Sequence, residues 1–251
     1  MSDINEGYRQ KVEVTAADMA VDMGLRSYML GIYGKVALGL ALAGSVAHAT
    51  SGVPVIRDLL FRSATADLPA GLTGWGLLVA MAPIVVLLNA GSALKNPTAT
   101  NTGVLYWTLV SLIGVSMGLL VLTYTGTALA TTFLIAATAF GALSLMGYAT
   151  KTSLTGIGSF LIVGLVGLLA TLGVNLLLHS PAIGFVANAA GVLIFAGLIA
   201  YDTQRLKLAY YQLGGNEAEM AVATNYGALS LFLDFINLFQ VLLLLMSGAR
   251  R

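Results

Sequence analysis

Seven stretches of this chain are each about twenty residues long and almost wholly apolar, which leaves very few folds open. They run approximately Met29–Ala49, Trp75–Leu94, Val104–Tyr124, Ala128–Ala149, Ile157–Leu178, Ala182–Tyr201 and Tyr226–Met246. A segment of that length crosses the hydrocarbon core of a bilayer as a helix, because only a helix satisfies its own backbone N–H and C=O groups there. Of the 251 residues, 58% are hydrophobic and 9% charged, whereas a soluble domain carries about a quarter charged residues. The pattern predicts an all-α polytopic membrane protein with seven transmembrane helices. A polar tail over residues 1–25 precedes a single helical domain over residues 26–251.

Composition also removes whole classes of chemistry. A net charge of +1 gives no bias toward nucleic acid. Cysteine is absent, so there are no disulfides, thiolate metal sites or cysteine nucleophiles. The two histidines, His48 and His179, stand far apart at segment ends and do not suggest a zinc site. No enzyme activity is expected. The opening MSDINEGYRQKVEVTAAD lacks an apolar core and does not read as a cleavable signal peptide.

Gly126–Thr127 reads as the turn between spans three and four, and His179–Ser180–Pro181 as the link between spans five and six. Longer loops are expected over Thr50–Gly74, with a short interfacial helix near Val55–Phe61, and over Thr203–Asn225, broken at Gly214–Gly215. Cations decide orientation. Arg9, Lys11, Arg26, Lys95, Lys151, Arg205 and Lys207 fall on one side, and Arg57, Arg62, Arg250 and Arg251 on the other. This favours a cytoplasmic N-terminus and an external C-terminus.

Within the spans, Gly114 and Gly118 form a GxxxG pair that reads first as ordinary close packing and only second as a dimer face. Pro83 should kink span two. Lys35 reads as a snorkelling cation or, more sharply, as a counter-ion to membrane acids. Asn89, Asn175 and Asn188 read as packing glue.

The acids are Asp202, which closes the sixth apolar run, and Asp234, which lies well inside the seventh. A lone charge in hydrocarbon costs at least ~2.5 kcal/mol, so such a residue persists only if neutralised, paired or facing water. On the seventh span Tyr226, Ser230, Asp234 and Asn237 share one face, about 80° wide at 100° per residue. Asp202 has an alternative reading as an interfacial carboxylate paired with Arg205.

The strings Gly197–Leu–Ile–Ala–Tyr–Asp202–Thr–Gln–Arg–Leu–Lys207 and Ala228–Leu–Ser–Leu–Phe–Leu–Asp234–Phe–Ile–Asn–Leu–Phe239 resemble the Bax inhibitor-1, or transmembrane Bax inhibitor motif, family. Leu25–Arg–Ser–Tyr–Met–Leu30 and Ala37–Leu–Gly–Leu–Ala–Leu42 resemble its bacterial members. The resemblance implies seven helices with the last one central, surrounded by the other six. It implies a pH-sensitive calcium leak in the bacterial inner membrane, with Asp202 and Asp234 as the sensing pair. No cofactor is required, and Ca²⁺ is the permeant or bound ion. Bacterial relatives are also associated with a membrane-bound AAA protease. The basic cluster some relatives carry after span two is missing here. Lys95 or Lys35 is the candidate substitute, although lysine offers a point charge rather than a guanidinium fork.

Two carboxylates held together cannot both ionise cheaply, so they share a proton, and Ca²⁺ can compete for the same oxygens. Ser230 and Asn237 are candidate supporting oxygens. One obstacle stands in the sequence: Asp234 lies roughly 12 Å deeper than the end of the sixth run at about 1.5 Å per residue. The pair meets only if helix six continues past Asp202 or helix seven begins earlier. Competing readings are a non-conducting interaction protein that modulates the protease, and an intramembrane aspartyl protease. The latter is disfavoured because neither Asp follows a glycine.

Overall fold

The computed structural model describes residues 2–62, 70–93 and 95–248, with backbone alone for 2–22, 92, 93 and 248. The first helix, α1, runs Ser2–Gly52 and is followed by a short helix α2, Pro54–Leu60. A two-residue antiparallel pairing joins Phe61–Arg62 (β1) to Gly71–Leu72 (β2). Then come α3 (Gly74–Ala93), α4 (Ala99–Thr123), α5 (Gly126–Ala149), α6 (Thr155–Leu178), α7 (Pro181–Leu213) and α8 (Glu217–Gly248). All of these except α2 contain a segment long and apolar enough to cross a membrane, seven in total, with Met23–Gly52 as the spanning part of α1. The side chains of most of the expected soluble tail lie outside the described residues, as do Arg9, Lys11, Arg250 and Arg251.

The ends of these helices follow local chemistry. Thr125 caps α5 by accepting from the Ala128 N–H at 3.2 Å. The turn after span three is therefore Tyr124–Thr125, two residues earlier than expected, and Gly126–Thr127 already belong to the next helix. His179 ends α6 in the left-handed region, Ser180 caps α7, and Pro181 takes the first turn, where its missing N–H costs nothing. Pro83 sits inside α3 without ending it.

The largest departure from expectation is the supposed loop Thr203–Asn225. No Gly or Pro interrupts 203–211, so α7 continues to Leu213 and stops where Gly214 adopts φ 57°. Asn216 then caps α8 through the N–H groups of Ala218 and Glu219, at 3.2 and 3.3 Å. Glu217 and Glu219 place negative charge at the positive end of the helix dipole. The loop shrinks to 214–216, and two helices replace the rest.

Helix α8 is the axis of the bundle. Buried positions make up 56% of its apolar window, against 33% in α4 and 6% in α3. It packs on α1, α4, α5 and α7, while α3 and α6 lie mainly against α4 and α7 as an outer layer. The last helix is thus central, but its close ring is four helices rather than six. The GxxxG pair faces inward. A Cβ on Gly114 would stand 2.8 Å from the Ala43 carbonyl oxygen, so the glycine lets α4 touch α1.

Candidate functional site

Asp202 and Asp234 are buried, with 6% and 7% of their surfaces exposed. Extension of α7 and the early start of α8 remove the depth mismatch, and the two carboxyl groups come within hydrogen-bonding reach of each other. The Ser230 hydroxyl, one turn before Asp234, donates to Asp202 Oδ2. Asp234 Oδ2 is buried and has no hydrogen-bond partner among the described residues.

The nearby cation is Arg205. Its Nη2 stands 3.6 Å from Asp202 Oδ1, one turn along α7, and its charge also acts on Asp234. The guanidinium is about half exposed (52%), so it is a rim charge and not a buried latch. Asp202 is therefore both a buried acid and a partner of Arg205, and the two sequence readings of it combine.

The other expected participants lie elsewhere. Lys35 Nζ donates to Asn225 Oδ1 on α8. Asn225 in turn donates to the Ala99 carbonyl at 2.9 Å and to Thr102 Oγ1 at 2.8 Å. Lys35 thus belongs to an α1–α4–α8 cluster two and a half turns before Asp234, not to the acid pair. Lys95 is exposed in the α3–α4 link. Asn237 spends its amide on the Leu233 carbonyl of its own helix, at 2.8 Å.

The contacts of Gln204 and Lys207 lie outside the sequence reading, which treats 203–225 as a loop although no Gly or Pro interrupts 203–211. Gln204 accepts from the Leu154 N–H at 2.7 Å and donates to the Thr152 carbonyl at 2.8 Å, clasping the α5–α6 link. Lys207 donates to the Tyr148 carbonyl at 2.8 Å, at the C-terminal end of α5, where a cation is favoured. Just before Asp202, α5 and α7 cross closely: a Cβ on Gly147 would lie 2.2 Å from the Ala200 carbonyl oxygen. A run of unbroken helix carrying Asp, Gln, Arg and Lys was the available signal.

No group of three or more His, Cys, Asp or Glu able to hold a metal occurs among the described residues. Two carboxyls and one hydroxyl fall well short of the six to eight oxygens that calcium takes. The set fits an ion that keeps most of its water, and does not fit a resident calcium.

Fold and site together define a polytopic integral membrane protein whose central helix shares a buried acid pair with its neighbour. The sequence profile of the family described as "Inhibitor of apoptosis-promoting Bax1" matches residues 25–251, and the chain belongs to that family. An uncharacterized protein of Caulobacter vibrioides is 56% identical over 250 residues, covering 100% of both chains. An uncharacterized protein of Rickettsia prowazekii, RP147, is 37% identical over 243 residues, covering 97% of this chain and 98% of the relative. The inner membrane protein YbhL of Escherichia coli is 34% identical over 228 residues, or 90% of this chain and 94% of the relative.

Proposed function

We propose that this protein is a pH-sensitive cation leak of the bacterial inner membrane, with calcium as its cargo and Asp202–Asp234 as its gate. The observation that carries the reading is Asp234 Oδ2, a buried carboxyl oxygen with no donor among the described residues, beside a second carboxyl. A structural polar contact closes on itself; this one leaves an acceptor open where a proton or a cation can bind.

In this reading, one shared proton holds α7 against α8. Loss of that proton puts two negative charges side by side in a low-dielectric interior, where repulsion is strong. The charge is relieved either by a hydrated cation or by closer approach of the half-exposed Arg205 guanidinium. Protons and calcium therefore compete for the same oxygens, and flux depends on pH. Ser230 keeps Asp202 oriented in either state. The N-terminus faces the cytoplasm and the C-terminus the outside, in line with the cation count.

The test is calcium entry into dye-loaded vesicles containing the full chain, scanned across pH. Wild type gives a pH-dependent rate, and Asp202→Asn and Asp234→Asn each flatten the profile. Variants that reproduce the wild-type profile across the whole range would overturn the gate.

A further inference from the structure

A crevice runs down the outside of the bundle between α1 and α5. Both helices pack on α8, but they have little direct contact with one another. They meet where the rings of Tyr33 and Phe140 stand edge-on, with centroids 6.4 Å apart. This contact divides the crevice in two. The cavity toward the start of the α1 span has a volume of about 710 Å³, and Arg26, Met29, Tyr33, Ser144 and Tyr148 are among its walls. The other, about 430 Å³, is floored by Phe235, Ile236 and Phe239 of α8.

Because α1 and α5 are membrane spans, this crevice opens on lipid. Its rims carry Leu30 and Leu145, 58% and 70% exposed. Polar chemistry within the first cavity is sparse and ordered by depth. Arg26 is exposed three residues into the α1 span. At the same end Lys207 lies over the Tyr148 ring, 5.0 Å from its centroid. Below them is Ser144, only 4% exposed, whose hydroxyl has no hydrogen-bond partner among the described residues. Ser144 is five residues from the end of α5, about 7.5 Å along the axis. From the surface inward the order is cation, lone hydroxyl donor, apolar trough. A phospholipid presents the complementary order: phosphate, ester carbonyl, acyl chain.

We propose that the α1–α5 crevice is a binding site for an anionic phospholipid. Arg26 takes the phosphate, the Ser144 hydroxyl donates to an ester carbonyl, and an acyl chain lies along Met29, Tyr33 and Phe140. This site is separate from the proposed ion leak and stands without it.

The experiment is native mass spectrometry of the full chain released from mixed micelles containing phosphatidylglycerol or phosphatidylcholine with identical chains. Wild type retains phosphatidylglycerol preferentially. Arg26→Gln lowers that retention about fivefold, the factor expected for one interfacial cation, and lowers that of phosphatidylcholine less, because its choline already offsets the phosphate charge. Gly141→Phe fills the trough from a position where a Cβ meets nothing within 4 Å, and lowers retention of both lipids. Gly141→Leu serves the same purpose if the larger side chain prevents folding, as judged by thermal melting in detergent alone. Equal retention of the two lipids by wild type overturns the proposal, as does full retention by a folded trough-filling variant. Displacement of the lipid by millimolar inorganic phosphate overturns it too, by pointing to a soluble-anion site.

Discussion

Two polar clusters sit within the membrane part of this protein, both anchored on α8, and they are built in opposite ways. In the Lys35–Asn225–Thr102 cluster the central amide is fully used: its oxygen accepts from an ammonium and its nitrogen donates to a carbonyl and a hydroxyl. In the Asp202–Asp234 cluster one carboxyl is fed by Ser230 and edged by Arg205, while the other keeps an oxygen with no donor. A closed network fixes α1, α4 and α8 relative to one another. On the proposed reading, the open cluster is the one whose arrangement changes with protonation. Polar groups in a membrane interior are costly in both places; internal hydrogen bonds offset that cost in the first cluster, and the proposed gate is assigned to the second.

Substitutions probe the contrast. Asn225→Leu should have the largest effect on stability, because it removes the acceptor of the Lys35 ammonium and the amide that ties α8 to Ala99 and Thr102 of α4. A loss of about 3 kcal/mol is expected, the upper end of the scale for hydrogen bonds to a charged group. It is read as denaturant unfolding in detergent, and adding Lys35→Met should recover at least part of it. Failure of the double variant to recover anything would mean that the cluster does not act as a unit.

Gln204→Ala comes next. It removes two hydrogen bonds to the α5–α6 backbone, at about 1 kcal/mol each. Hydrogen exchange at Leu154 should rise with no change at Asn225, so the loss is local to the gate side. Asp234→Asn should cost least, within about 1 kcal/mol, since an amide can donate to Asp202 in place of the shared proton. The same variant should remove the pH response of flux, a separation of stability from function that Asn225→Leu should not show.

Much of this arrangement is legible in the sequence. Hydropathy alone places seven spans, since twenty apolar residues in a row have one outcome in lipid. The cost of a membrane carboxylate singles out Asp202 and Asp234 before any geometry is known. What escapes is everything set by where polar residues continue a helix. Thr203–Leu213 and Glu217–Asn225 are too polar to count as span, yet nothing in them breaks a helix except the 214–216 turn. Reading them as loop hides what Gln204, Lys207 and Asn225 touch. The partner of Lys35 is also invisible, because Asn225 is 190 residues away and only the fold brings them together.

The central claim is that Asp202 and Asp234 hold one proton between them and exchange it for a cation. Infrared difference spectroscopy of the carboxyl C=O stretch, recorded at fixed pH as calcium is added, tests it most directly. The account predicts a protonated-carboxyl band that calcium removes, with release of a proton, and that is absent from the Asp202→Asn/Asp234→Asn double variant. A band that calcium leaves untouched, or that survives loss of both acids, contradicts it.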